Sequence, residues 1–430
     1  MKTLRVGLLG CGQVGSGFFS LLTAKKRFFE TEIGVSFELA GVAVRSRKKK
    51  RPVRIPPSLF TEAESLVRDP SVDVVVELIG GTIEAKSLVL DALRQGKHVV
   101  TANKALLAEH GDEVFELAHQ MNRAVCFEAS VGGGIPVIKA LREGLVGNQI
   151  DAIHSIINGT SNYILTAMSE KKIDFKQALS EAQAKGYAEA DPTLDIEGID
   201  AAHKLAVLAR FAFGGRVHFP DIYCEGISRI RGEDIAFAEE FGYRIKLLAI
   251  AKLGADGLEA RVQPALLPEK HILANVNRSF NAVMLHGDEV GDVLFYGRGA
   301  GARPTASAVI SDLVDIAKQP GRFSATTAPM RAIRKNLVIK SISSIQSRYY
   351  LRFHVVDRPG VLAKIAQVLG GHKISISDVI QKERSAGSIV PLILLTHHAH
   401  EKNVRQAITR IDRLNGVRGK SQVLRIEGDA

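Results

Sequence analysis

Two lysines and a run of carboxylates are the residues of this chain whose types and spacing best suit chemistry. Lys204 lies four residues after Asp200 on a stretch with helical periodicity (201–213), so both side chains share one face. A carboxylate in that position can orient the ammonium and hold it ready for proton transfer. Spacing alone favours a plainer reading, a salt bridge on a helix surface, because such pairs are common. Lys104, in Thr101-Ala102-Asn103-Lys104, follows a short apolar strand (98–101). That is the carboxyl edge of a parallel sheet, where open α/β folds bind their ligands. Ahead of Asp200, the segment Gly186-Tyr187-Ala188-Glu189-Ala190-Asp191-Pro192-Thr193-Leu194-Asp195 concentrates carboxylates in a loop. Such a loop suits a substrate ammonium or is simply a solvated acidic loop, and its spacing is not that of an EF-hand. The histidines, His203 included, show no metal-ligand spacing.

A second group of residues suits phosphate. Gly10-Cys11-Gly12-Gln13-Val14-Gly15 matches GxGxxG between an apolar strand and an amphipathic helix. The first glycine permits the tight turn, the second lets a pyrophosphate approach the backbone, and the third lets helix and sheet pack closely. The helix N-terminus then favours the phosphate charge. Alone the motif is weak; its strand–turn–helix setting makes it a dinucleotide site over a merely structural turn. The second strand ends at Val44, where an NAD-type site would carry an acid, yet Arg45, Arg47, Lys48 and Lys49 follow. Guanidinium and ammonium groups suit a 2′-phosphate, which favours NADP and leaves NAD open.

The elements that must position these groups follow from composition and periodicity. The chain has 430 residues, 46% hydrophobic and 24% charged, enough for two to four domains with sizeable cores. Cys11, Cys126 and Cys224 form no CxxC pair, which argues against disulfides or a zinc site and for a reducing compartment. No apolar run approaches the ~18 residues of a membrane span, and the apolar N-terminus runs into the glycine motif instead of a cleavage site, so a cytoplasmic location is expected. The net charge of +11 is concentrated between Arg45 and Arg54 without interleaved aromatics, so a phosphate partner is preferred to nucleic acid.

Apolar runs at 4–9, 37–44, 72–78, 98–101 and 124–128 alternate with amphipathic stretches such as 84–94 and 106–120, which implies a parallel sheet covered on both faces. After Gly132-Gly133-Gly134 the pattern becomes mixed, with helical periodicity at 201–213 and again at 236–253. Gly297–Gly301 precedes another helical stretch (306–317), and 318–347 reads as a linker. The tail gives a strand (349–356), the turn Asp357-Arg358-Pro359-Gly360, a helix bearing Val361, Ile365 and Leu369, strands at 374–380 and 388–396, a helix (402–411) and a strand (421–426), a β-α-β-β-α-β order.

With these motifs in place the chain resembles homoserine dehydrogenases of the monofunctional form. The resemblance is carried by Val76–Gly81, Thr101–Lys104, Phe127–Pro136, Ile157–Leu165, Gly186–Pro192, Asp200–Leu205 and Gly297–Gly301, in order and spacing, and the tail resembles an ACT domain. It implies an α/β Rossmann-type domain at 1–130, rejoined by about 302–340. An α+β substrate-binding and dimerisation domain would span 131–301, and a ferredoxin-like ACT regulatory domain 348–428. It further implies reversible reduction of L-aspartate 4-semialdehyde to L-homoserine, in threonine, methionine and isoleucine biosynthesis. Lys204 would be the proton donor and Lys104 would lie near the nicotinamide, while Glu189, Asp200 and Asp195 would bind the substrate. The implied cofactor residues are Gly10, Gly12, Gln13, Val14, Gly15, Arg45, Lys48, Ile79, Lys104, Gly186 and Gly301. A monovalent cation, usually sodium, would sit at Glu128 and the carbonyls of Val131, Gly133 and Ile135. Threonine is the implied effector at the tail, and a homodimer or homotetramer the implied assembly, with neither nucleic acid nor membrane as partner.

Overall fold

A computed structural model of the protein describes residues 3–318, 336–382 and 388–428. The chain begins with β1 (Thr3–Leu9), whose exit passes through the glycine turn into α1 (Gln13–Ala24). Then come β2 (Ser36–Ala43), β3 (Phe60–Thr61), α2 (Ala63–Arg68), β4 (Val74–Glu77), α3 (Ile83–Arg94), β5 (His98–Thr101), α4 (Lys104–Gln120) and β6 (Val125–Cys126). The six strands form one parallel sheet in the order β3-β2-β1-β4-β5-β6, the doubly wound arrangement. β4 is buried at all four positions, as a strand covered on both faces must be.

The middle of the chain supplies β7 (Ile150–Ile156), α5 (Gly159–Lys171), α6 (Phe175–Ala184), α7 (Ile199–Phe213), β8 (Tyr223–Cys224), α8 (Gly232–Glu240), β9 (Tyr243–Gly254), β10 (Gly257–Pro268), β11 (Phe280–Gly287) and β12 (Gly291–Arg298). α7 is buried at nearly every position, packed between this sheet and α4 of the first unit. A helix that is apolar almost all round belongs in a core. The helical periodicity expected over 236–253 is wrong in its second half. α8 stops at Glu240, Gly242 turns with φ +76°, and β9 begins at Tyr243. β9 is buried on both faces, and a continuous apolar run does not distinguish strand from buried helix by period.

α9 (Ala302–Lys318) returns to the first unit and packs along α1. The approach is close at Gly17, where a Cβ would fall 2.4 Å from the Ala302 carbonyl oxygen. Of the expected linker, 319–335 lies outside the described residues. Residues 336–345 are not free: Leu337 N–H donates to Arg216 O, Leu258 N–H to Val338 O, and Lys340 N–H to Leu258 O.

The tail comprises β13 (Gln346–Val356), α10 (Val361–Gly371), β14 (Ile376–Ile380), β15 (Ile389–Thr396), β16 (Ala399–His400), α11 (Glu401–Ile411) and β17 (Val417–Ile426). Its strand order β17-β13-β15-β14 is ferredoxin-like. The tail is joined edge to edge with the middle sheet: β17 pairs in parallel with β10, making one sheet in the order β12-β11-β7-β9-β10-β17-β13-β15-β14. The junction is pinned by Arg425, buried and bonded to Glu401 (2.5 and 2.9 Å) and, in the middle unit, to Glu225 (3.1 Å). Among the described residues no helix is long and apolar enough to cross a membrane.

Candidate active site

The Asp200–Lys204 pair is not on a surface. It sits in the first turns of the buried α7, with Asp200 8% and Lys204 9% exposed. Lys204 Nζ donates to Asp200 Oδ2 (2.7 Å) and to the Ile157 carbonyl (2.7 Å). Lys104, the first residue of α4, reaches the other oxygen, with Nζ 3.0 Å from Asp200 Oδ1. Burial alone would raise the Asp200 carboxyl, but the ammonium groups of Lys204 and Lys104 overcome it and hold the acid well below the usual carboxylate range. For Lys104 burial opposes the charge, and Asp200 restores it, so its net shift is upward. One carboxylate therefore bridges two cations, one from each unit.

Asn158 completes this arrangement. Its side-chain oxygen accepts Ser161 N–H (2.8 Å) and so caps α5, while Nδ2 donates to Asp195 (2.6 Å) and Asp200 (2.8 Å). Burial and the neighbouring Asp200 charge push the Asp195 carboxyl up. Residue reasoning assigned no role to Asn158, although an Asn before a helix start is a capping signal. Glu189 is exposed on the turn after α6, and its charge acts on Lys104. His203 stacks on Phe219 (centroids 4.1 Å apart) beside Glu109.

The glycine turn is built for close approach. Gly10 has φ +92°, and a Cβ there would meet Leu78 O at 2.6 Å; at Gly15 it would lie 2.3 Å from Gly10 O. At Gly12 a Cβ would meet nothing within 4 Å, so the protein's own packing does not demand glycine there. α1 starts at Gln13 with no side-chain cap on its N-terminus. This turn opens on a cavity of about 540 Å³ lined by Gly10, Gly12, Gln13, Arg45 and Ile79, and by Lys49, Lys50 and Arg51. Space at the second glycine, uncapped helix N–H groups and a cationic wall fit a dinucleotide. Val14 and Gly15 stand behind the turn in α1, and Lys48, Lys104, Gly186 and Gly301 do not line this cavity. Arg45 is paired with Glu84 at 2.5 Å. Gly186 follows the C-terminal end of α6 with φ +73°, and Gly301 precedes α9 with φ +125°.

Glu128 is buried, and its oxygens accept N–H from Ile138 (3.0 Å) and Lys139 (2.7 Å). Its own N–H donates to the buried Asp312 (3.0 Å). Each carboxylate oxygen keeps a second lone pair. The expected cation ligands, Glu128 with the carbonyls of Val131, Gly133 and Ile135, are all oxygen, the donor type that suits a hard cation, although Ile135 O already accepts Val137 N–H. Among the described residues no group of three or more His, Cys, Asp or Glu could hold a metal ion.

Comparison with known proteins decides the family. Residues 10–128 match the family model described as homoserine dehydrogenase, NAD binding domain; 136–314 match homoserine dehydrogenase; and 349–416 match the ACT domain. The homoserine dehydrogenase of Pseudomonas aeruginosa is 45% identical over 99% of both chains. The chain belongs to the homoserine dehydrogenase family. The Bacillus subtilis homoserine dehydrogenase is 40% identical over 100% of this chain and 99% of its own. A crystal structure of a homoserine dehydrogenase from Thiobacillus denitrificans superposes with a TM-score of 0.91 at 46% identity, over 99% of both chains. A hyperthermophilic archaeal homoserine dehydrogenase solved with NADPH superposes with a TM-score of 0.62 at 27% identity, covering 74% of this chain and 98% of that one. The chain is thus an oxidoreductase with a nucleotide-binding unit, a homoserine dehydrogenase catalytic unit and an ACT unit.

Proposed function

We propose that this enzyme reversibly reduces L-aspartate 4-semialdehyde to L-homoserine, with NADPH preferred to NADH, as a step of threonine, methionine and isoleucine biosynthesis. The observation that carries the reading is the Asp200 carboxylate held between Lys204 and Lys104. When bound, the nicotinamide supplies the hydride. Lys204 has three N–H donors, two of them committed to Asp200 and Ile157 O. The third is free to protonate the carbonyl oxygen as its negative charge develops, or to take the proton back in reverse. Asp200 keeps both ammonium groups oriented and favours the charge on Lys104. Lys104 stabilises the reacting group beside the nicotinamide. Glu189, Asp195 and Asp200 bind the substrate's polar groups, with Asn158 aligning the two aspartates.

On the same reading Gly10, Gly12, Gln13, Val14, Gly15 and Ile79 hold the dinucleotide, joined by Gly186 and Gly301, and Arg45, with Lys49, Lys50 and Arg51 on the same wall in place of Lys48, binds the 2′-phosphate. The relative solved with NADPH supports the choice of cofactor. Glu128, Val131, Gly133 and Ile135 hold a monovalent cation, sodium by preference, which fixes the glycine-rich turn. The domains divide at 1–130 rejoined by α9, then 131–301, against which 336–340 pack, and 348–428. Threonine acts through the ACT unit, and the enzyme works in the cytoplasm as a homodimer or homotetramer. Initial rates with aspartate semialdehyde and NADPH or NADH, each with and without threonine, test the reading. Turnover with NADPH that threonine lowers is expected; no turnover of this aldehyde with either cofactor overturns it.

A further inference from the structure

Glu77, at the carboxyl end of β4, is completely buried, and every group bonded to it is neutral. Its Oε1 accepts the N–H groups of Ile79 (2.9 Å) and Gly80 (3.2 Å), and its Oε2 accepts the Thr101 hydroxyl (2.6 Å). The network closes into a ring. Thr101 Oγ accepts Asn103 N–H (3.0 Å), and Asn103 Nδ2 donates to the Gly81 carbonyl (2.7 Å). Gly80 and Gly81 both hold left-handed φ, +73° and +72°, which lets the loop fold back onto the acid. Asn103 Oδ1 also accepts Leu106 N–H (3.1 Å) and so caps α4, whose first residue is Lys104.

Burying a carboxylate away from any cation is costly and is offset only when several donors converge on it. Burial pushes the acid up, and the Thr101, Ile79, Gly80 and Asn103 donors offset only part of that rise. Donors alone face it, the pattern of an anion cradle. What this cradle ties together are two loops with different tasks. The loop after β4 puts Ile79 on the dinucleotide cavity, and the loop after β5 puts Lys104 against Asp200.

We propose that Glu77 is a positioning residue that clamps the Ile79–Gly81 loop to the Thr101–Lys104 loop, setting Lys104 relative to the bound dinucleotide. The inference rests on the reading of Lys104 given above. A glutamine at 77 still accepts from Ile79 and Gly80, but its amide group faces Thr101 and leaves that hydroxyl proton without an acceptor. Valine at 101 removes the hydroxyl link, and serine restores it.

The test compares Glu77→Gln, Thr101→Val, Thr101→Ser and the double variant Glu77→Gln/Thr101→Val for kcat, KM, thermal midpoint and NADPH affinity by cofactor fluorescence. Since a displacement of an ångström at a reacting centre costs up to ~10²-fold, Glu77→Gln and Thr101→Val should each lower kcat about tenfold, change the aldehyde KM less, and weaken NADPH severalfold. Thr101→Ser should stay near wild type, and the double variant should be no worse than the poorer single one, because both cut the same ring. Wild-type kcat and NADPH affinity in folded Thr101→Val, or additive losses in the double variant, overturn the clamp. Should Glu77→Gln fail to fold, the valine–serine pair at 101 decides alone. Lys104→Ala separates the two readings: full turnover there removes the role of Lys104, whereas an inactive Lys104→Ala beside an unaffected Thr101→Val removes only the clamp.

Discussion

Lys104 Nζ lies 3.0 Å from Asp200 Oδ1, a bond that ties the first residue of α4 to the first turn of α7. The nucleotide-binding unit and the catalytic unit thus each place one ammonium on a single carboxylate. The site exists only where the two units meet, and changes at its members should be separable from changes in the fold.

Lys204→Ala should lower kcat by about 10²–10⁴-fold, the usual share of a positioned proton donor. Asp200 keeps Lys104 and Asn158 as partners, so the variant should remain folded. Initial rates together with circular dichroism check this, and full turnover would remove Lys204 from the chemistry.

The glycines of the turn should fail in different ways. Gly15→Ala sets a Cβ 2.3 Å from a backbone oxygen, and overpacking of that kind costs about 1–3 kcal/mol. Its thermal midpoint should fall. Gly12→Ala meets no protein atom within 4 Å, so it should keep the wild-type midpoint while losing NADPH affinity. Melting curves and cofactor titrations of both proteins distinguish these cases. Equal midpoints and equal affinities would show that the turn carries no phosphate.

Arg45→Ala should weaken NADPH by about tenfold, the scale of a charged hydrogen bond lost, and leave NADH nearly unchanged. The Arg45–Glu84 pair is exposed on both sides, 76% and 48%, so stability should hardly move. Dissociation constants for the two cofactors measure the selectivity, and an unchanged ratio would assign the 2′-phosphate elsewhere.

Lys246, in β9, is buried beneath Val276 O (2.6 Å) and Asn277 Oδ1 (2.9 Å), and burial pushes its ammonium down to about 7. Its unfolded value is near 10.4. The unfolded chain therefore binds more protons between about pH 7 and 10, so this group adds stability as pH rises across that window, by at most about 1.4 kcal/mol per pH unit. Wild type should gain on Lys246→Met between pH 7 and 9.5 in urea melts. A constant difference between the two would contradict the shift.

Much of the nucleotide unit was legible along the chain. Five of its six strands announced themselves as short apolar runs, and GxGxxG stood between β1 and α1 because a turn at φ +92° needs a glycine. β3, only two residues long, carries no such run, so it was missed. In the basic segment Arg45 lines the cavity as expected and Lys48 does not, while Lys49, Lys50 and Arg51 do; residue type marks a cationic loop but not which side chains turn inward. β9 was read as helix because a strand buried on both faces has no period of its own.

The acid and the lysine of the buried pair were written in the chain: the i, i+4 spacing alone puts Asp200 and Lys204 on one face of a helix. Whether that face met water or a core was decided by tertiary packing, since α7 is covered by β7, β9 and α4. The same holds for the Lys104 bond to Asp200, the Asn158 bridge, the Glu77 ring and the fusion of β17 to β10. Each joins residues far apart in sequence, and local periodicity reports only on neighbours within a turn or a strand; distance through space is set by how the units dock.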